Sequence, residues 1–372
     1  MMLTRRRLMR DLGCLAVVGQ FAGEAFLARR ARGDSVVPGN VVWLDSNENP
    51  AGPPPSAIKA IVDGAAATAR YHFDEFAAFT DAIARSEGLS SGQVVFGVGS
   101  TEIIDAAIFA FTSASQPLIT ASPTYDIPVE LAQRLGRKLV QVPLTETWGF
   151  PVKKLAEEAA KAGGGLIYLC NPNNPTASLT PKDDISWLVS NLPPNTVLLV
   201  DEAYFHYAQP ETIESAMRFV GEERSVIVAR TFSKIYGMAG ARAGFGCARP
   251  DLIRAIRPFL DNVIPVLGLR AAMAALADRD TIVSQRRAEV ARIRGELCDW
   301  LRGKGIRYLE PHANFVMMDI GRDVREFGKE MLRRGVAVGR PFPPLNQMLR
   351  VTIGTDQEMK RFREVFWQAY SA

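Results

Sequence analysis

Between residues 93 and 248 the chain alternates between two patterns. Short apolar runs at 93–97, 117–121, 138–143, 165–170, 196–200, 225–229 and 243–248 are separated, for the most part, by helical patterns, among them 102–111, 127–135, 152–162 and 182–191. An unbroken apolar run suits a strand buried on both faces, and strands joined through helices of about 10–15 residues pair in parallel. The alternation therefore predicts an α/β fold, with a mainly parallel seven-stranded sheet covered by helices. Ligands in such sheets sit outside the carboxyl ends of the strands, so the loops after these runs are where function is expected.

The flanks read differently. A short strand at 41–44 runs into a polar turn and the stiff Gly52-Pro53-Pro54-Pro55, after which Ser56 is expected to cap a helix over 57–62. A helix over 76–87 is closed by Gly88, and 251–301 is largely helical with breaks at Pro258 and Pro265. Strands at 306–309, 314–319, 336–338 and 349–353, with helices at 325–334 and 356–370, predict a smaller α+β domain. The expected division is a leader over 1–33, an arm over 34–65 contributing to the smaller domain, a large domain over 66–270, and a connector helix with the small domain over 271–372.

Charge separates the first thirty residues from the rest. Residues 1–33 hold seven arginines against Asp11 and Glu24, a net +5, whereas the whole chain carries +4, so residues 34–372 together carry one net negative charge. A body so nearly neutral gives no support to nucleic-acid binding. Thr4-Arg5-Arg6-Arg7-Leu8-Met9-Arg10 resembles a twin-arginine export motif ahead of a modestly apolar stretch. Export to the periplasm is the expectation, and an amphipathic arm on a cytoplasmic protein is the alternative. Gln20 and Glu24 interrupt the apolar stretch, so no stable membrane span is expected. Cys14, Cys170, Cys247 and Cys298, and His72, His206 and His312, lack metal-ligand spacing, and no metal is expected.

Four strand-following loops carry the chemistry. Gly97-Val98-Gly99-Ser100-Thr101-Glu102 opens a helix, where backbone N–H groups can bind an anion. Cys170-Asn171-Pro172-Asn173-Asn174-Pro175-Thr176 is a stiff Asn/Pro loop, and also a plausible sharp turn. Val200-Asp201-Glu202-Ala203-Tyr204 sets an acid at the end of an apolar strand; it can serve as a helix cap or meet a buried cation such as a protonated pyridine. Ser233-Lys234, followed by Arg242, puts an amine, a hydroxyl and a guanidinium on a Gly-containing loop. Such a lysine is either a surface residue beside a turn or a desolvated amine able to condense with an aldehyde.

Taken in order, Asn-Pro-Asn-Asn-Pro-Thr, Asp-Glu-Ala-Tyr, and Ser-Lys followed by Arg resemble the class I/II aminotransferases of fold type I, which depend on pyridoxal 5′-phosphate (PLP). The opening Leu44-Asp45-Ser46-Asn47-Glu48-Asn49-Pro50 and closing Leu349-Arg350-Val351-Thr352-Ile353-Gly354-Thr355 are similar to histidinol-phosphate aminotransferase. The resemblance implies that Lys234 holds the cofactor and moves the substrate proton, and that Asp201 pairs with the pyridine nitrogen. Asn174 and Tyr204 would meet the ring's 3-oxygen and Tyr125 would stack on its face. Ser100, Thr101, Ser233 and Arg242 would hold the phosphate. Tyr71 would reach the neighbouring subunit's phosphate, implying a homodimer with shared sites. Arg350 and Arg340 would hold substrate anions, with Asn49 beside them. The implied partners are a small amino donor and a 2-oxo acid acceptor. A decarboxylase resembling threonine-phosphate decarboxylase would use the same Lys234, Asp201 and Asn174 and is the alternative. The glycine usual after Asn-Pro-Thr is Ala177 here, an exchange that costs little if the backbone there keeps a negative φ.

Overall fold

The computed structural model describes residues 41–371; the expected leader lies outside the described residues. The strands are β1 (Val42–Leu44), β2 (Val94–Gly97), β3 (Leu118–Ser122), β4 (Leu139–Pro143), β5 (Gly165–Cys170), β6 (Thr196–Asp201), β7 (Val226–Thr231), β8 (Gly244–Ala248), β9 (Phe315–Asp319), β10 (Val336–Val338) and β11 (Met348–Thr352). Seven of them form one sheet in the order β2-β8-β7-β6-β5-β3-β4. β3, β4, β5, β6 and β7 pair in parallel, while β8 runs antiparallel to both β7 and β2. β2 therefore points the same way as β7, and the strands bearing the suspected loops all end on one edge of the sheet. Every residue of β5, β6 and β7 is buried, as their apolar runs require.

Two small sheets complete the chain. β9 pairs antiparallel with β11, and β1 pairs in parallel with β10, bringing the start of the described chain onto its last third. The strand expected at 306–309 is only an isolated bridge, Tyr308 to Met318. The Ile306 N–H is already donated to the Leu301 carbonyl at a helix end, and Pro311 has no N–H with which to extend the pairing. The expected helix at 57–62 is Pro55–Gly64, with Pro54 at the N-cap position and Pro55 in the first turn. Ser56 is thus not the cap. It lies inside the helix, and its buried hydroxyl has no partner within the described residues. Proline fits the first helical turn because its missing N–H has no intrahelical partner there anyway.

The helices Phe76–Glu87, Val152–Ala162 and Asp356–Tyr370 keep the expected bounds. The long segment after the sheet divides into Pro250–Ile256, Val266–Ala277 and Arg279–Gly303. Among the described residues no helix is long and apolar enough to cross a membrane, and no His/Cys/Asp/Glu group could hold a metal.

Candidate active site

Two titratable side chains mark the carboxyl edge of the sheet. Asp201, the last residue of β6, is only 3% exposed. The Tyr168 hydroxyl donates to its Oδ2 at 2.9 Å and the Ala203 N–H to its Oδ1 at 3.1 Å. Among the described residues no cation pairs with it, and burial pushes its carboxyl up to about 6. Lys234 lies three residues beyond β7. Burial, then the nearby charge of Arg350, lowers its ammonium to about 8. Its Nζ donates to the Ser46 carbonyl at 3.1 Å and stands 5.8 Å from the centre of the Tyr204 ring. The loop is pinned just past the lysine: the Ile235 carbonyl accepts from Arg286 Nη1 at 2.8 Å and Asn49 Nδ2 at 3.2 Å.

Beside them is a site for an anion. The helix Ser100–Phe111 starts after Gly99, and among the described residues no side chain caps its N-cap position. Gly99 has φ +87°, a conformation that favours glycine, and a Cβ there would lie 2.6 Å from Arg242 Nη2 and push the guanidinium aside. Arg242 itself is left-handed, with φ 57°. Its Nη1 donates to Ser233 Oγ at 3.4 Å and its Nη2 to the Val98 carbonyl at 3.2 Å. Ser100, Thr101, Ser233 and Arg242 thus converge from two loops. Glu102, in the same first turn, is spent on the Val98 N–H at 2.6 Å and on Asn262.

A third group links the small sheets to the large one. Arg350, on β11, is buried; its Nη1 donates to Asn174 Oδ1 and its Nη2 to the Asp45 carbonyl, both at 2.7 Å. Its Nε has no partner and no carboxylate pairs with it among the described residues, while burial lowers the guanidinium to about 10. Because Asn174 Oδ1 is engaged, its amide presents Nδ2 as a donor. The Tyr204 hydroxyl accepts from Asn47 Nδ2 at 3.0 Å and keeps its own O–H to give. The Tyr125 hydroxyl lies 3.5 Å from Thr101 Oγ1, and burial pushes it up to about 12.

Residues 39–366 match the model of the family described as aminotransferase class I and II. The chain belongs to this family. It is 32% identical to a histidinol-phosphate aminotransferase of Moorella thermoacetica over 330 residues, covering 87% of this chain and 84% of the relative. It is 33% identical to one of Symbiobacterium thermophilum over 328 residues, covering 87% and 89%. The structure of histidinol-phosphate aminotransferase from Sinorhizobium meliloti in complex with pyridoxal-5′-phosphate superposes with a TM-score of 0.81 at 27% identity, covering 89% of this chain and 91% of that one.

For an aminotransferase of this family the residues present fit PLP. A buried acid awaiting a cation suits a protonated pyridine nitrogen, an uncapped helix start with a guanidinium suits a phosphate, and a desolvated amine suits an aldehyde. The remaining predicted residues are committed to other contacts within the single chain. Tyr71 is 68% exposed and stacks on Phe73, at the surface of the single chain. Asn49 spends its amide on Tyr207, Ile235 and the Ala51 N–H, bracing the backbone beside Lys234. Arg340 forms an ion pair with Asp126.

Ala177 corrects an expectation. Its φ is +60°, the left-handed region that favours glycine, while its N–H and carbonyl are held by Asn173 and His312. The sequence reading also missed Tyr168, the side-chain donor to Asp201. Tyr168 looked like one more core aromatic of β5, yet a buried acid demands a donor, and β5 is the strand beside Asp201. Asn47, which orients Tyr204, had only its place in the Asp45–Pro50 turn to mark it.

Proposed function

We propose that this aminotransferase uses PLP to move an amino group from a donor of the histidinol-phosphate type, or a related amino acid, to a 2-oxo acid such as 2-oxoglutarate. The observation that carries the reading is the pairing of Lys234, its ammonium lowered to about 8, with Asp201, a buried acid lacking a cation among the described residues. Both ends of that pair are unfavourable without a ligand and favourable with this one. Bound PLP supplies an electron sink for the bond broken at the substrate Cα.

The rest falls to the chain. Asp201 holds a proton on the pyridine nitrogen, and Tyr168 keeps the carboxylate aimed at it. Ser100, Thr101, Ser233 and Arg242 hold the phosphate with the helix start. Tyr125 covers the ring face, and Asn174 with Tyr204 donates to its 3-oxygen. Lys234 would hold the cofactor's aldehyde carbon, and its amine, lowered to about 8, would serve as the general base for the substrate's Cα proton. Arg350 receives the acceptor's carboxylate, and in the other half-reaction the donor's phosphate or carboxylate, for which a desolvated guanidinium without a carboxylate partner among the described residues is suited.

Two further parts complete the proposal. The enzyme is a homodimer in which Tyr71 serves the partner's phosphate site. The arginine-rich residues 1–33 export it folded, which suits an enzyme that loads its cofactor first; cell fractionation with Arg5 and Arg6 changed to lysine tests that part.

The primary experiment is a half-reaction screen by absorbance. Histidinol phosphate is added to the loaded protein, then aromatic, acidic and basic amino acids. Conversion of the cofactor band with release of a keto product is expected, and Lys234→Ala should abolish both band and turnover. Release of carbon dioxide without conversion would replace transamination by decarboxylation, and normal turnover of Lys234→Ala would overturn the reading.

A further inference from the structure

The two arginines expected to hold substrate anions keep unequal company. Arg350 is buried and has no carboxylate partner among the described residues, whereas Arg340 is ion-paired to Asp126, the residue following Tyr125. Both guanidiniums lie over one ring, that of Phe342, at 4.3 Å for Arg340 and 4.5 Å for Arg350. The two guanidiniums are therefore neighbours about that ring, close enough for the two ends of one small ligand to reach both. Each partner of the Arg340–Asp126 pair is 36% exposed, and an ion pair so open to water is weak enough to be exchanged for another. Arg340 is also steadied by its Nη1 bond to the Pro341 carbonyl at 3.0 Å, so it stays in place when its anion changes.

We propose that Asp126 determines specificity at the far end of the substrate. It is a resident counter-ion that occupies Arg340 when the ligand's far end is neutral or a hydrogen-bond donor. A second anionic group on the ligand must displace it before Arg340 can bind that group. The site then handles two substrate classes in turn: a donor whose far end can give a hydrogen bond to Asp126, and a dianionic acceptor that takes its place on Arg340. Discrimination against dianions comes from repulsion by Asp126 as much as from attraction elsewhere. The inference rests on the reading that Arg350 takes the substrate carboxylate.

Calorimetric binding of glutarate, with two carboxylates, and butyrate, with one, to the cofactor-loaded enzyme tests it without relying on turnover. Asp126→Asn should tighten glutarate about tenfold and leave butyrate within about twofold. Adding Arg340→Gln to that variant should erase the gain. Retained butyrate binding reports an intact site, and Asp126→Ser serves as a second variant with the same expectation. Equal changes for both ligands, or no gain for glutarate in either variant, would overturn the role of Asp126. Butyrate affinity unchanged in Arg350→Gln would instead remove the reading of Arg350, and this proposal with it.

Discussion

Asp201 illustrates a residue kept for chemistry against stability. Its carboxyl, about 6 in the folded chain, lies above the ordinary 3.8, so the folded state holds this proton more tightly than the unfolded chain. The stability it contributes to the cofactor-free protein is present below pH 4 and is lost as pH rises to about 6. Asp201→Asn removes the charge. Urea unfolding of the cofactor-free protein should find the variant about 3 kcal/mol more stable than wild type at pH 8. That gap should narrow toward pH 4.5, while amino transfer is lost. A constant gap would place its origin elsewhere than the proton. Ala177 is the opposite case, strain with no side-chain function to offset it. Its φ of +60° costs about 1 kcal/mol for an L-residue. Ala177→Gly should therefore stabilise by roughly that amount, read as a higher urea midpoint at unchanged slope.

At the scale of elements, β6 and β7 end in functional residues because something stiff lies behind them. Arg230 on β7 donates to Glu202 Oε2 through Nε at 2.9 Å and Nη2 at 2.7 Å, and to Glu87 through Nη1 at 2.8 Å. Arg279 closes the group on Glu87 at 3.1 Å. Arg230, Glu202 and Glu87 are all nearly inaccessible, so the charges are desolvated and depend on one another. Arg230→Met leaves two buried carboxylates with one cation and should cost about 3–5 kcal/mol in urea unfolding. A loss under 1 kcal/mol would mean the group contributes little to the fold. Such a cluster was not legible in the sequence, since its members are scattered between residues 87 and 279 and only register joins them. The sheet was legible because each strand announces its burial as an apolar run, whatever its neighbours. The chemistry at the strand ends was legible because each apolar run gives way to residues that burial disfavours, Asp201 closing β6 and Asn174 and Lys234 standing in the loops just after β5 and β7. Tyr168 and Asn47 escaped because an aromatic in a core strand and an asparagine in a turn satisfy ordinary expectations already. The bridge at Tyr308 was overread because the availability of N–H groups, not apolarity, decides whether a strand extends.

For the whole molecule, one exposed apolar segment bears on the proposed dimer. Val62 is 67% exposed and Ile58, one helical turn before it, is exposed too, with the stacked Tyr71 and Phe73 following in the chain. Apolar side chains this exposed over one segment suit a contact between two copies, which would carry Tyr71 toward the partner's anion site. A subunit-mixing experiment distinguishes sharing from mere association. Lys234→Ala and Tyr71→Ala should each be impaired alone. In a mixed dimer, the site that keeps Lys234 belongs to the Tyr71→Ala chain, and it receives an intact Tyr71 from the Lys234→Ala chain. The other site loses both. Random mixing makes half the dimers hybrid, each with one restored site, so activity should recover to about a quarter of wild type. Recovery should vanish when Val62→Glu is added to both chains, because a buried unpaired charge opposes the contact. Activity that stays at the sum of the separate variants would mean that Tyr71 acts within its own chain or not at all, and that each chain carries a complete site.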